Sequence, residues 1–216
     1  MTYAIPAHVS VAVCEGRPIF LDLKANRYFA LSVELGKAFL DGLDDQSWLT
    51  DPSVTEALVR QGVLCRTCEN QPRRVPQIPR PTQSLLDAPL LPSGRVDHLL
   101  ALTAYVKART ELRVSPFEAT IRRLQRRKQK QTTVSNTPVG EVVAAHSRLG
   151  RIVTVANRCL PRSVALMDIL ASRDMHPTFV IGVRLPFAAH CWVQTDDYLI
   201  SDQALTVSDY TPILVV

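Results

Sequence analysis

Residues 186–202 read Pro186-Phe187-Ala188-Ala189-His190-Cys191-Trp192-Val193-Gln194-Thr195-Asp196-Asp197-Tyr198-Leu199-Ile200-Ser201-Asp202. Ala189 to Thr195 and Tyr198 to Ser201 have the composition of strands, and the Asp196-Asp197 pair between them suits a hairpin turn. A hairpin folded at that pair brings His190 and Asp202, the latter read as the end of its strand, nearly opposite one another. An imidazole beside a carboxylate is held in one tautomer, and its protonated form is steadied.

Upstream, Thr178 to Val183 reads as a further strand, and the stretch after Cys159 as a helix through about Arg173. Pro161 fits a first helical turn, where its missing N–H is not needed. Cys159 therefore stands at or near a helix N-terminus, where the dipole and free N–H groups favour thiolate. Free cysteine is also among the most buried residue types, so Cys159 taken alone reads first as an inert packing residue. The ordered set of helix-start cysteine, strand histidine and neighbouring-strand aspartate points instead to a Cys-His-Asp nucleophilic site. Cys191 leaves its strand on the face opposite His190 and Trp192, and reads as packing.

These residues resemble the transglutaminase-like cysteine hydrolases, and more closely the B proteins of lasso-peptide biosynthesis. The resemblance rests on Cys159-Leu160-Pro161-Arg162-Ser163, on Ile181-Gly182-Val183 leading to Pro186 through Val193, and on Ser201-Asp202. Where that family has His-Ala-Trp, this chain has His190-Cys191-Trp192. The resemblance extends to Phe20 through Ser32, which look like the small winged-helix-like domain that recognises precursor peptides. It implies an α+β chain with a leader-peptide recognition domain over residues 1–66 and a proline-rich linker over 67–94. A papain/transglutaminase-like cysteine peptidase domain then occupies 95–216. It also implies a function: removal of the leader from a ribosomally made lasso precursor. The core would pass to an ATP-dependent, asparagine-synthetase-like lasso cyclase. Tyr28, Phe29, Ala30 and Leu31 on a strand, with Val54 and Leu58 on a helix, are the expected leader-binding positions. Cys159, His190 and Asp202 are the expected catalytic residues, with the Cys159 N–H and Asn157 as candidate oxyanion donors. Two rivals are an acyltransferase with the same triad, and a non-catalytic peptide- or nucleic-acid-binding protein.

The N-terminal third supports two layers of local reading. His8 to Val13, Pro18 to Leu23 and Asn26 to Leu31 are strand-like, with a turn at Lys24-Ala25-Asn26. Ser32 reads as a helix N-cap, and a further helix runs from about Pro52 to near Gly62. Residues 66–92 are proline-rich and aperiodic; helices are expected from Arg95, from near Pro116 and over 139–156.

Composition narrows the class. The chain has 216 residues, a net charge of +5 and five scattered cysteines, an odd number that argues against a disulfide framework. No run of 18 apolar residues is present, and the opening residues lack a secretion signal, so a cytoplasmic protein without a membrane span is expected. Cys65-x-x-Cys68 has no second ligand pair, so no metal is expected, and no cofactor is implied. The basic run Arg122 to Lys130 lacks the interleaved aromatics of a base-stacking surface and reads as a solvated helix face, without nucleic acid as a partner.

Overall fold

The computed structural model describes residues 2–43, 50–67, 77–87, 89, 92, 94–129, 139–152 and 159–216. The chain divides into two units, one of Met1–Gln77, Val183–Ala188 and Thr211–Leu214, the other of Ile78–Gly182, Ala189–Tyr210 and Val215–Val216.

In the first unit, β2 (Val9–Cys14), β3 (Arg17–Asp22) and β4 (Arg27–Ala30) form an antiparallel meander, and β1 (Thr2–Ala4) pairs with β5 (Cys65–Thr67). The β2–β3 turn uses Glu15 (φ 50°) and Gly16 (φ 73°), the left-handed pair that a two-residue hairpin requires. At the next turn the Asp22 carboxylate accepts the Lys24 and Ala25 N–H groups at 2.9 and 3.0 Å. Ser32 caps α1 (Val33–Asp41) by accepting the Leu35 N–H, as the sequence predicts, and Asp51 caps α2 (Pro52–Arg60).

Phe20 is the centre of this unit's core, stacked on Phe29 and edge-on to Phe39 with centroids 5.1 Å away in each case. Leu58, one of the expected leader-binding positions, belongs to the same cluster at 0 % exposure. Phe29, Leu31 and Val54 are partly buried against the cluster, Ala30 is exposed, and the Tyr28 ring tilts against Phe187 of the same unit.

The second unit contains α3 (Arg95–Val114), α4 (Phe117–Gln129), α5 (Val139–Ile152) and α6 (Cys159–Ala171). A five-stranded sheet has the order β10-β7-β8-β9-β6, from Thr211–Val215, Thr178–Arg184, Ala188–Gln194, Tyr198–Leu199 and Gln83–Ser84, with Thr211–Leu214 of β10 counted in the first unit. A short α7 (Ala204–Val207) precedes β10. Helix α6 is apolar nearly all round, with Val164, Ala165, Leu166, Ile169 and Leu170 buried, as befits a helix in a domain centre.

Two sequence expectations shift here. The stretch read as linker contributes β6, which pairs in parallel with β9. A two-residue strand among prolines is too short to show alternation. The second shift concerns the basic run. Arg123 pairs with Glu111 and Asp168, Arg127 also with Asp168, and Arg122 with Glu118, so these charges tie α4 to α3 and α6 or stabilise α4 itself. Among the described residues no helix is long and apolar enough to cross a membrane.

Candidate active site

The Asp196-Asp197 turn forms, but the ladder beyond it is brief. β8 and β9 share one registered pair, Gln194↔Leu199. The Val193 carbonyl then accepts both the Ile200 N–H (2.9 Å) and the Ser201 N–H (3.4 Å), a bulge that ends regular pairing. Asp202 therefore lies in a bend past β9 rather than at its end, because the extra residue turns the chain out of the ladder. The carboxylate still reaches back: His190 Nε2 and Asp202 Oδ1 are 2.9 Å apart.

Asp202 is held from three directions. Its Oδ1 takes the imidazole, and its Oδ2 accepts the Ser201 hydroxyl at 2.6 Å. Its backbone carbonyl accepts the Ser84 hydroxyl at 2.7 Å. Ser201 is fixed in turn, since its oxygen accepts the Val193 N–H at 2.9 Å. Ser84 and Ser201 escaped the sequence reading; Ser84 sits in the proline-rich stretch, and nothing local marks it as a partner of residue 202.

Cys159 is the first residue of α6 and is half-buried. Its thiol interacts with both the Cys191 thiol and the His190 imidazole, which act together on its ionisation. With Nε2 given to Asp202, Nδ1 is the ring nitrogen left for the sulfur. Cys191 donating to the sulfur is the largest influence on it; burial opposes ionisation, but His190 adds its own hydrogen bond and charge, and the thiol pKa falls to about 4. On His190 burial disfavours the cation, yet Asp202 and Cys159 outweigh it and raise the pKa to about 9. Burial likewise pushes the Asp202 carboxyl up, while His190 and Ser201 hold it below its ordinary value. A thiolate and an imidazolium therefore face each other across the neutral range.

Cys191 corrects the sequence reading. Alternation along a strand tells which face a side chain leaves from, but not what lies across the strand there. Ser163, one helical turn beyond Cys159 and on the same face of α6, donates its hydroxyl to the Cys191 carbonyl at 3.1 Å. The first turn of α6 thus rests on β8 at residue 191, and the Cys191 thiol meets Cys159. Buried against that thiolate, it is held well above the usual thiol range, chiefly by the hydrogen bond it donates to Cys159.

Around this centre the ring of Trp192 stacks at 6.4 Å from His190 and that of Tyr210 tilts at 5.5 Å. Gly182 makes room for both: a Cβ there would come within 2.6 Å of the Trp192 ring and 2.9 Å of Tyr210. His146 on α5, which the sequence did not single out, is buried with Nε2 3.0 Å from the Arg162 carbonyl. Burial, with the nearby Arg162 charge, lowers its pKa to about 4, so the ring is neutral and donates to the first turn of α6.

Asn157 and Cys68 lie outside the described residues. Among the described residues no group of three His, Cys, Asp or Glu side chains is arranged to hold a metal. No curated protein and no solved structure matches the chain. Residues 102–215, more than half of its length and all three of Cys159, His190 and Asp202, match the model of one protein family, and on that match the chain belongs to the transglutaminase-like superfamily.

Proposed function

We propose that this protein is a cysteine peptidase that removes the leader from a ribosomally made precursor of the lasso class, with Cys159 as nucleophile, His190 as acid–base and Asp202 as the group that orients and charges His190. The observation that carries the reading is the chain of contacts from the Cys159 thiol through His190 to Asp202, with the thiol pKa lowered to about 4. A thiol poised in this way is ionised and nucleophilic at neutral pH without a separate activation step.

In the proposed reaction the thiolate attacks the carbonyl at the leader–core junction. The Cys159 N–H, at the head of α6, would donate to the developing oxyanion. His190 delivers its proton to the departing amine, leaving an acyl-thioester on Cys159. It then takes a proton from the water that hydrolyses the thioester. The first unit, read as a winged-helix-like recognition domain, would hold the leader as an added strand. β4 favours this use, because it is an end strand of its sheet, in the order β2-β3-β4. Tyr28, Phe29, Ala30, Leu31 and Val54 would supply the side-chain contacts. The released core would pass to an ATP-dependent, asparagine-synthetase-like cyclase.

Membership of the transglutaminase-like superfamily favours a second reading, in which the acyl group passes to an amine instead of water. Mass spectrometry of candidate precursor peptides incubated with the full-length protein separates the two. Hydrolysis yields two fragments whose masses sum to the peptide plus one water, and transfer yields an amidated or crosslinked product. Either product must vanish with Cys159→Ala; unchanged turnover by that variant would sink both readings.

A further inference from the structure

The mechanism above leaves one nucleophilic group unused. Cys191 is 5 % exposed, and Ser163, one turn beyond the half-buried Cys159 on the same face of α6, donates to the Cys191 carbonyl at 3.1 Å, so the two thiols are neighbours that act on one another's ionisation. The two other described cysteines are directed elsewhere. Cys14 Sγ lies 3.6 Å from the Val183 carbonyl and Cys65 Sγ 3.5 Å from the Ala4 carbonyl.

We propose that Cys191 is a resolving thiol, which captures Cys159 after its oxidation by a peroxide and locks the pair as a reversible disulfide. In the first step the Cys159 thiolate attacks one oxygen of hydrogen peroxide. The O–O bond breaks, Cys159 becomes a sulfenic acid, and the hydroxide released takes the His190 proton and leaves as water. In the second step the Cys191 sulfur attacks the sulfenic sulfur. An S–S bond forms, the S–OH bond breaks, and the hydroxide leaves as water with the Cys191 proton. In all, two thiols and one peroxide become one disulfide and two waters.

The same arrangement gives the order of events. While Cys159 is a thiolate, its charge holds the proton on Cys191, so Cys191 does not compete for oxidant. Oxidation to the neutral sulfenic acid removes that charge and frees Cys191 to attack. Closing the contact to a bond of about 2.05 Å requires rotation of the two side chains toward each other. The outcome for the site is specific. Cys159 is protected from the irreversible sulfinic and sulfonic acids, at the cost of an activity that a dithiol restores.

The test uses the full-length protein and hydrogen peroxide, and it reads covalent mass, so it stands whatever acyl acceptor the site uses. After peroxide treatment and alkylation of remaining thiols, a non-reduced digest should contain the Cys159 and Cys191 peptides joined, lighter than their sum by two hydrogens. Dithiothreitol should return both thiols in full. In Cys191→Ser the same treatment should leave Cys159 carrying two added oxygens that dithiothreitol does not remove. The proposal is overturned if wild-type Cys159 gains oxygen while Cys191 stays a free thiol, or if Cys159 couples instead to Cys14, Cys65 or Cys68. The wild-type digest decides the matter even if the variant does not fold.

Discussion

The chain contains two antiparallel hairpins built to opposite ends. β2 and β3 run in register through six consecutive pairs, Val9↔Asp22 to Cys14↔Arg17, around a two-residue turn. β8 and β9 keep one registered pair before the bulge at Val193. In the regular hairpin the backbone groups satisfy each other, and side chains alternate between the core and the other face. In the irregular one, Ser201 and Asp202 leave the ladder, and their side chains take over the work of holding the strands. One result is an aspartate whose carboxylate is free to meet a histidine on the strand it has just left. Regular pairing specifies a fold, whereas the interrupted pairing here assembles the constellation around His190.

The largest effects should follow from removing what the interruption brings together. His190→Ala removes both the proton carrier and the charge that ionises Cys159, and cleavage should fall by about 10³-fold or more. Asp202→Ala leaves the imidazole in place but unsupported, with a loss of about 10²-fold. Initial rates on one precursor peptide, with circular dichroism to verify folding, check both.

The pH profile sharpens the same point, and alkylation of the thiol does so without a substrate. The thiolate appears as pH rises past about 4, and the imidazolium is lost as pH rises past about 9. Activity should therefore be bell-shaped between those limits, and alkylation of Cys159 by iodoacetamide should already be rapid at pH 6. In Asp202→Ala the upper limb should move to lower pH, since the carboxylate is, with Cys159, what overcomes the cost of burying the imidazolium. Labelling of Cys159 that rises only above pH 8, as for an ordinary thiol, would break the account.

A smaller effect is expected where the interruption is repaired by a single hydroxyl. Ser201→Ala deletes the donor to Asp202 Oδ2 and leaves the Val193 N–H unsatisfied. Loss of one hydrogen bond to a charged group is worth about 1.5–3 kcal/mol, so cleavage should drop by about 10- to 150-fold if the whole loss falls on the reaction, with folding retained. An unchanged rate would mean that His190 alone fixes the carboxylate.

The two hairpins also differ in how far each could be read in advance. β2 to β4, the Ser32 cap and the start of α6 follow from signals within a few residues: alternation, a hydroxyl before an apolar period, a proline in a first turn. The approach of His190 to Asp202 was legible in part, since the turn pair brings the two segments side by side, although the bulge after Leu199 and not the register delivers the carboxylate. What resisted reading were meetings between distant elements. Ser84 supports Asp202 from 118 positions away in a strand too short to have a pattern. Cys191 was assigned correctly to a strand, but nothing in the strand says that a helix start lies across it. His146 follows Val142-Val143-Ala144-Ala145, a setting common to any buried helix face, so its bond to Arg162 is visible only in three dimensions.

The regular hairpin makes the last and smallest prediction, and its value is that the site should not respond. Gly16 has a φ of +73° with open space where a Cβ would stand, so Gly16→Ala meets no clash and suffers only the left-handed backbone cost, about 1–2 kcal/mol. Glu15, at a φ of 50°, already carries such a cost in the wild type. Asparagine tolerates that conformation better, and Glu15→Asn creates the Asn-Gly pair that two-residue hairpin turns favour, so it should stabilise by up to about 1 kcal/mol. For a chain of this size each kcal/mol shifts the melting midpoint by about 2–4 °C, downward for the alanine and upward for the asparagine. Both variants should alkylate Cys159 at the wild-type rate at pH 6, because the bonds that poise it are all made by α6, β8 and the bend after β9. A change in that rate would show that the turn of one hairpin reaches the chemistry of the other, and the division of labour between them would have to be abandoned.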